Sequence, residues 1–141
     1  MAFRGSFEHT LDDRGRVAIP AKYRAEFPNS LAVITPATEG CLLVFPEAAF
    51  KQMSDDVASI PATTVEGRRR RRLFDARAFD AELDRQGRIL IPVALRALAG
   101  LDGAVMVVGN RESLEIWNPE RWLREIEEAE KASPDGQRSE E

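Results

Sequence analysis

The segment Leu11-Asp12-Asp13-Arg14-Gly15-Arg16-Val17-Ala18-Ile19-Pro20 returns as Leu83-Asp84-Arg85-Gln86-Gly87-Arg88-Ile89-Leu90-Ile91-Pro92. A shift of 72 residues superposes Leu11 on Leu83, Asp12 on Asp84, Gly15 on Gly87, Arg16 on Arg88, Pro20 on Pro92 and Arg24 on Arg96. This internal repeat constrains the fold strongly, since what one copy forms the other must form too. It predicts two modules of roughly 50 residues each. Modules that small bury too little surface to be stable alone. The copies are therefore expected to pack on each other and exchange hairpins, closing one shared core and hiding strand edges.

Each copy reads as strand, tight turn, strand and helix. A polar Asp-x-x-Gly turn precedes a short alternating apolar run, and a Pro suited to the first turn of a helix follows. Gly15 and Gly87 supply the positive φ of the turn, with Asp12 and Asp84 as its structural carboxylates. Val17 and Ile19, or Ile89 and Ile91, share one face of the second strand. Pro20 and Pro92 open helices over 21–27 and 93–99, with Pro28 and Gly100 as stops.

The correspondence continues beyond the signature. Phe3, Phe7 and Leu11 alternate along an opening strand, matched by 79–83 in the second copy. Residues 31–34 and 41–45 read as two strands before a helix at Pro46, matched by 104–108, 113–117 and a helix at Pro119. Trp117 and Trp122 are expected in the core and helix packing rather than as base-stacking platforms. The expected division is a first repeat over 1–54, a basic inter-repeat segment over 55–76, a second repeat over 77–124 and an acidic tail over 125–141. The helix of the inter-repeat segment runs over 64–74 and carries five consecutive arginines, Arg68 to Arg72. The tail extends the last helix through about residue 131, and from 133 it has too little apolar content to order.

A net charge of -4 disguises a neutral body. Residues 120–141 hold eight Asp or Glu and four Lys or Arg, so the deficit lies wholly in the tail. For a phosphate partner the local clustering of arginine matters, because screening confines each charge to about 8 Å.

Catalysis is poorly supplied: the chain has no phosphate-binding loop, nucleophile elbow or dinucleotide fingerprint. Asp12 and Asp13, adjacent at a strand end, point apart and read as turn residues. The single His9 lacks the neighbours of a metal ligand, and the single Cys41 sits in an apolar run and reads as core. No cofactor and no metal are expected. The chain lacks an export leader and an apolar run of membrane-spanning length, so a cytoplasmic protein with no membrane partner is expected.

Arginine at the turns is the better material. Arg14 and Arg16 flank Gly15, and Arg85 and Arg88 surround Gly87. A guanidinium bridges two acceptors, whether phosphate oxygens or guanine O6 and N7 in a major groove that admits a two-stranded ribbon. A structural alternative stands beside this, in which Asp12 and Asp84 pair with Arg16 and Arg88 to fasten the turns. Both roles are compatible.

The Asp-x-x-Gly-Arg-(Val/Ile)-x-Ile-Pro segment resembles the swapped-hairpin domain of the SpoVT and AbrB class of bacterial DNA-binding proteins. Its duplication behind Met1-Ala2-Phe3-Arg4-Gly5 resembles the MraZ family of transcriptional regulators, from residue 1 to about residue 123. The resemblance implies mixed β structure with short helices: two AbrB-like swapped-hairpin halves forming a pseudo-twofold β barrel with flanking helices. It implies DNA contact by Arg16 and Arg88 first, then Arg14 and Arg85, with Arg4 an addition. It also implies a nucleoid-associated repressor of the division and cell wall gene cluster that includes its own gene. The partners implied are double-stranded promoter DNA and further copies of the chain, in a homo-oligomeric ring larger than a dimer. The rival reading is a protein-interaction or antitoxin-like module of the same fold class, in which the arginine-rich helix and acidic tail meet protein partners.

Overall fold

The computed structural model describes residues 2–132. Strand β1 (Ser6–Thr10) enters a turn whose closure explains the repeated motif. The Gly15 N–H donates to the Asp12 carbonyl at 3.0 Å, and Asp12 Oδ1 accepts the N–H groups of Arg14 and Arg16 at 2.9 and 2.8 Å. Asp84 repeats this with Gly87, Gln86 and Arg88, each at 2.9 Å. Gly15 and Gly87 have φ of +81° and +74°, a region costly to a residue with a β-carbon.

The remaining elements follow in order: β2 (Arg16–Ala18), β3 (Leu31–Pro36), β4 (Leu42–Pro46), α1 (Glu47–Ala58), α2 (Val65–Asp75), β5 (Phe79–Glu82), β6 (Arg88–Leu90), α3 (Val93–Ala99), β7 (Ala104–Asn110), β8 (Ser113–Trp117) and α4 (Pro119–Ala132). The first copy's short helix, Ala21–Glu26, is a 3-10 helix rather than the α-helix found at α3. α3 ends on Gly100 in the left-handed conformation, as its sequence requires.

The strands after each turn do not pair with the strands before it. β1 lies antiparallel on β7, β5 on β3, and β2 on β6, so every one of these pairings joins the two copies or closes across them. The larger sheet has the order β1-β7-β8-β4-β3-β5, and β2-β6 forms a separate ribbon. Exchanging each strand for its repeat counterpart returns the same order read backwards, with the centre between β8 and β4. The sheet is open: β1 and β5 are its two edges, and the ladder does not close into a barrel among the described residues.

One face of this sheet and the ribbon enclose the main core, in which Val17, Ile19, Ile89, Ile91, Ile34, Leu42, Leu114 and Ile116 are all buried. Full burial of such side chains supplies about 1.5–3 kcal/mol each. The other face of β7 and β8 is covered by α4, where Trp122 meets Trp117 at 5.6 Å and buried Cys41 lies in the same cluster. That second cover buries Trp117 on the face of β8 opposite Leu114 and Ile116, and all five residues of β8 are buried.

α1 runs unbroken through residue 54, the expected end of the first repeat, and stops at Ser59 before Pro61. α2 is capped by Thr64, whose Oγ1 accepts the Gly67 N–H at 2.9 Å. Its arginines divide: Arg71 donates to the carbonyls of Ala58 and Ile60 and Arg68 to that of Ala62, closing the α1–α2 connection. Arg69, Arg70 and Arg72 are exposed. α4 carries helix through Ala132, and the part of the tail expected to be unstructured, from residue 133, lies outside the described residues.

Candidate nucleic-acid interface

The β2–β6 ribbon organises the arginines. Its register sets Arg16 opposite Leu90, Val17 opposite Ile89 and Ala18 opposite Arg88. Side chains alternate along a strand, so with Val17 and Ile89 buried the outer face carries Arg16, Ala18, Arg88 and Leu90. The antiparallel pairing puts the two turns at opposite ends: the Gly15 carbonyl accepts the Ile91 N–H, and the Gly87 carbonyl accepts the Ile19 N–H.

On that face the four signature charges meet. Arg16 Nε lies 2.9 Å from Asp12 Oδ2, and Arg88 Nε lies 3.1 Å from Asp84 Oδ2. Each guanidinium also reaches the other copy's carboxylate, Arg16 to Asp84 at 3.7 Å and Arg88 to Asp12 at 3.5 Å. Asp12 is held below the usual carboxylate range first by the Arg16 N–H, and Asp84 by the Arg88 N–H. The structural role weighed for this pairing is therefore present, with an added link between copies. About a quarter of each arginine side chain remains exposed, 27% for Arg16 and 28% for Arg88. One Nε per guanidinium is committed at hydrogen-bond distance, so the fork keeps donors for a second acceptor.

Arg14 and Arg85 stand exposed at the two turn tips, at opposite ends of the ribbon. Among the described residues neither is drawn into an ion pair. Arg4 does not join them. It lies at the far end of β1 from the turn, where its N–H donates to the Tyr23 hydroxyl and its carbonyl accepts from the same group, both at 2.9 Å.

Two further arginines belong to the site. Arg96 lies over Gly15 and Arg24 over Gly87, each reaching from its own helix onto the other turn. A β-carbon on Gly15 would stand 2.5 Å from Arg96 Cζ. Arg24 Nε donates to the Ile19 carbonyl at 3.0 Å, whereas Arg96 Nε is buried without an acceptor among the described residues. The signal for these two was in the repeat itself, which aligns Arg24 with Arg96, but nothing local shows that each crosses to the opposite turn.

The face is thus a strip with arginine at both ends and in the middle. It can bind extended anions and donate paired hydrogen bonds. Among the described residues no group of His, Cys, Asp and Glu could hold a metal, and no helix is long and apolar enough to cross a membrane. The burial of His9 first, and the Arg24 charge second, lower its pKa below the usual imidazole range.

A family model described as "MraZ protein, putative antitoxin-like" matches the chain twice, over residues 2–73 and 74–140. The chain belongs to the MraZ family. Its two matches meet at residues 73 and 74, within the last turn of α2. Relatives named transcriptional regulator MraZ include one from Thermomicrobium roseum, 41% identical over 125 residues, which are 89% of this chain and 87% of its own. Another, from Deinococcus radiodurans, is 41% identical over 133 residues, or 93% of each chain. One from Moorella thermoacetica is 43% identical over 120 residues, covering 85% of this chain and 83% of its own. The name these MraZ relatives carry is that of a regulator and not of an enzyme.

Proposed function

We propose that this chain is a sequence-specific DNA-binding transcriptional regulator, a repressor of the division and cell wall gene cluster that includes its own gene. The observation that carries this reading is the ribbon face, where Arg16 and Arg88 share two aspartates at the centre and Arg14 and Arg85 occupy the ends. A two-stranded ribbon fits a major groove about 12 Å wide, and arginine held in place by a carboxylate presents its remaining donors to phosphate or guanine at little entropic cost. The regulator name of the MraZ relatives supports the same reading.

In this reading Arg16 and Arg88 make the principal DNA contacts, Arg14 and Arg85 add contacts at the ends, and Arg4 touches the flanking backbone. Asp12, Gly15, Asp84 and Gly87 shape the turns. The reversed identity of the strand order supports two AbrB-like swapped-hairpin halves about a pseudo-twofold axis. One body offers few phosphate contacts, and each contributes a salt slope of only about 0.9. A homo-oligomeric ring larger than a dimer raises the effective concentration of such faces on repeated promoter sites. Repression then needs no cofactor, because bound protein occludes the promoter in the nucleoid.

Fluorescence anisotropy against DNA from upstream of the chain's own gene, with a scrambled control at low and physiological salt, tests this directly. Specific binding that survives the higher salt, and is lost in folded Arg16→Ala and Arg88→Ala variants, is the expected result. Equal and salt-fragile binding to both DNAs, or unchanged affinity in both variants, overturns it. The antitoxin-like words of the family description favour a second reading, a protein-binding module using exposed Arg69, Arg70 and Arg72. Recovery of a stoichiometric protein partner together with indifference to DNA would select it.

A further inference from the structure

The outer face of the ribbon is not symmetric, although the backbone around it is. The diagonal Arg16 and Arg88 is the same in both copies, while the other diagonal pairs Ala18 with Leu90. Leu90 is 54% exposed and lies directly across the strand pair from Arg16. Three residues on, Val93 is 72% exposed where the first copy has Ala21. Isolated exposed leucines are ordinary, but this one is an apolar side chain on the face that the arginines line, opposite Arg16 in the strand register. The burial of Ile89 and Ile91 on either side points it outward.

We propose that Leu90 is a specificity-determining residue that packs on the C5-methyl group of a thymine next to the base pair read by Arg16. The inference rests on the DNA-binding reading above. Apolar side chains read thymine in the major groove through this methyl group, the only apolar base-edge feature displayed there. The neighbouring Arg16 fork reads O6 and N7 of guanine, so the pair Arg16 and Leu90 favours a guanine and a thymine in adjacent base pairs. At the pseudo-symmetric position Arg88 has only Ala18 beside it, whose single methyl reaches less far. The two ends of the ribbon therefore ask for different bases, and one body binds its site in one direction.

The test replaces thymine with deoxyuridine, which removes that methyl and leaves every base-edge hydrogen bond. A duplex recovered by the full-length protein from a randomised pool is resynthesised with deoxyuridine at each thymine in turn, and affinity is read by anisotropy. The expected result is a loss of roughly fourfold at one position, the equilibrium worth of burying one methyl-sized group. The same substitution has no effect on a Leu90→Ala variant, which copies Ala18, and Leu90→Met retains the sensitivity. Matched melting temperatures of the variants separate this coupling from any effect on folding. Specific binding that is indifferent to deoxyuridine at every position, or an equal penalty in Leu90→Ala, overturns the role of Leu90 and leaves the DNA-binding reading standing. A pool that yields no preferred sequence overturns both.

Discussion

The guanidinium of Arg96 lies over Gly15, and the side chain of Arg24 lies over Gly87. Each turn glycine therefore answers two demands, a positive φ and the absence of a β-carbon beneath an arginine from the other copy. Gly15→Ala is expected to lower stability by about 1–3 kcal/mol, the range for a residue forced into the left-handed region. The contact with the Arg96 guanidinium adds to that cost. In an Arg96→Ala background the Gly15→Ala penalty should shrink, and urea denaturation of the four proteins of this cycle measures the difference.

The central ion cluster makes stability depend on acid. Asp12 and Asp84 are both held below the usual carboxylate range, first by the backbone N–H of Arg16 and of Arg88. A group whose pKa is depressed in the folded state stabilises above its unfolded value, near 4, and loses that contribution as pH falls through the folded one. The melting temperature should therefore fall steeply below about pH 4, beneath a shallower decline that begins near pH 6.5, where the depressed imidazole of His9 starts to cost stability. In an Asp12→Asn/Asp84→Asn variant the acid fall should be shallower, from a lower starting value.

Much of this arrangement was legible in the chain because it is local. The Asp-x-x-Gly-Arg spacing dictates the turn, the alternation of Val17 and Ile19 dictates the buried face, and Gly100 dictates the end of α3. The Asp12–Arg16 pair could be weighed from spacing alone. Pairing across the copies could not: the strand before each turn carries no mark of whether it joins its neighbour or a strand of the other copy, as β1 does with β7. Burial of both faces of β8 was hidden for a related reason, since Glu115 reads as the polar side of an alternating strand until its carboxylate is seen to accept from Trp117 and Asn110. The reach of Arg24 and Arg96 onto opposite turns follows from the same exchange.

Arg14 and Arg85 can be removed without touching the frame. Both are exposed, and their side chains enter no ion pair among the described residues. Arg14→Gln and Arg85→Gln should leave the melting temperature within about 2 °C of the parent, since such surface changes lie within about ±0.5 kcal/mol. If each contacts one phosphate, the salt slope of DNA binding should fall by about 0.9 per variant and by twice that in the double variant. A titration of affinity against salt concentration reads both quantities, and an unchanged slope assigns the contacts elsewhere.

Among the described residues, Glu115 is the one buried carboxylate, and it has two donors. It accepts from the indole Nε1 of Trp117 and from Nδ2 of Asn110, both at 2.9 Å. The two donors differ in access to water: Trp117 is buried, and Asn110 is exposed. Deleting the carboxylate strands the indole N–H, which costs about 1–3 kcal/mol, whereas the amide turns to solvent. Glu115→Ala should therefore destabilise by at least that amount, with an added contribution from the cavity it leaves. Asn110→Ala should cost less than about 1 kcal/mol, because Glu115 keeps the tryptophan. The order of their urea midpoints checks the claim that the indole bond, and not the amide bond, holds this corner of the sheet.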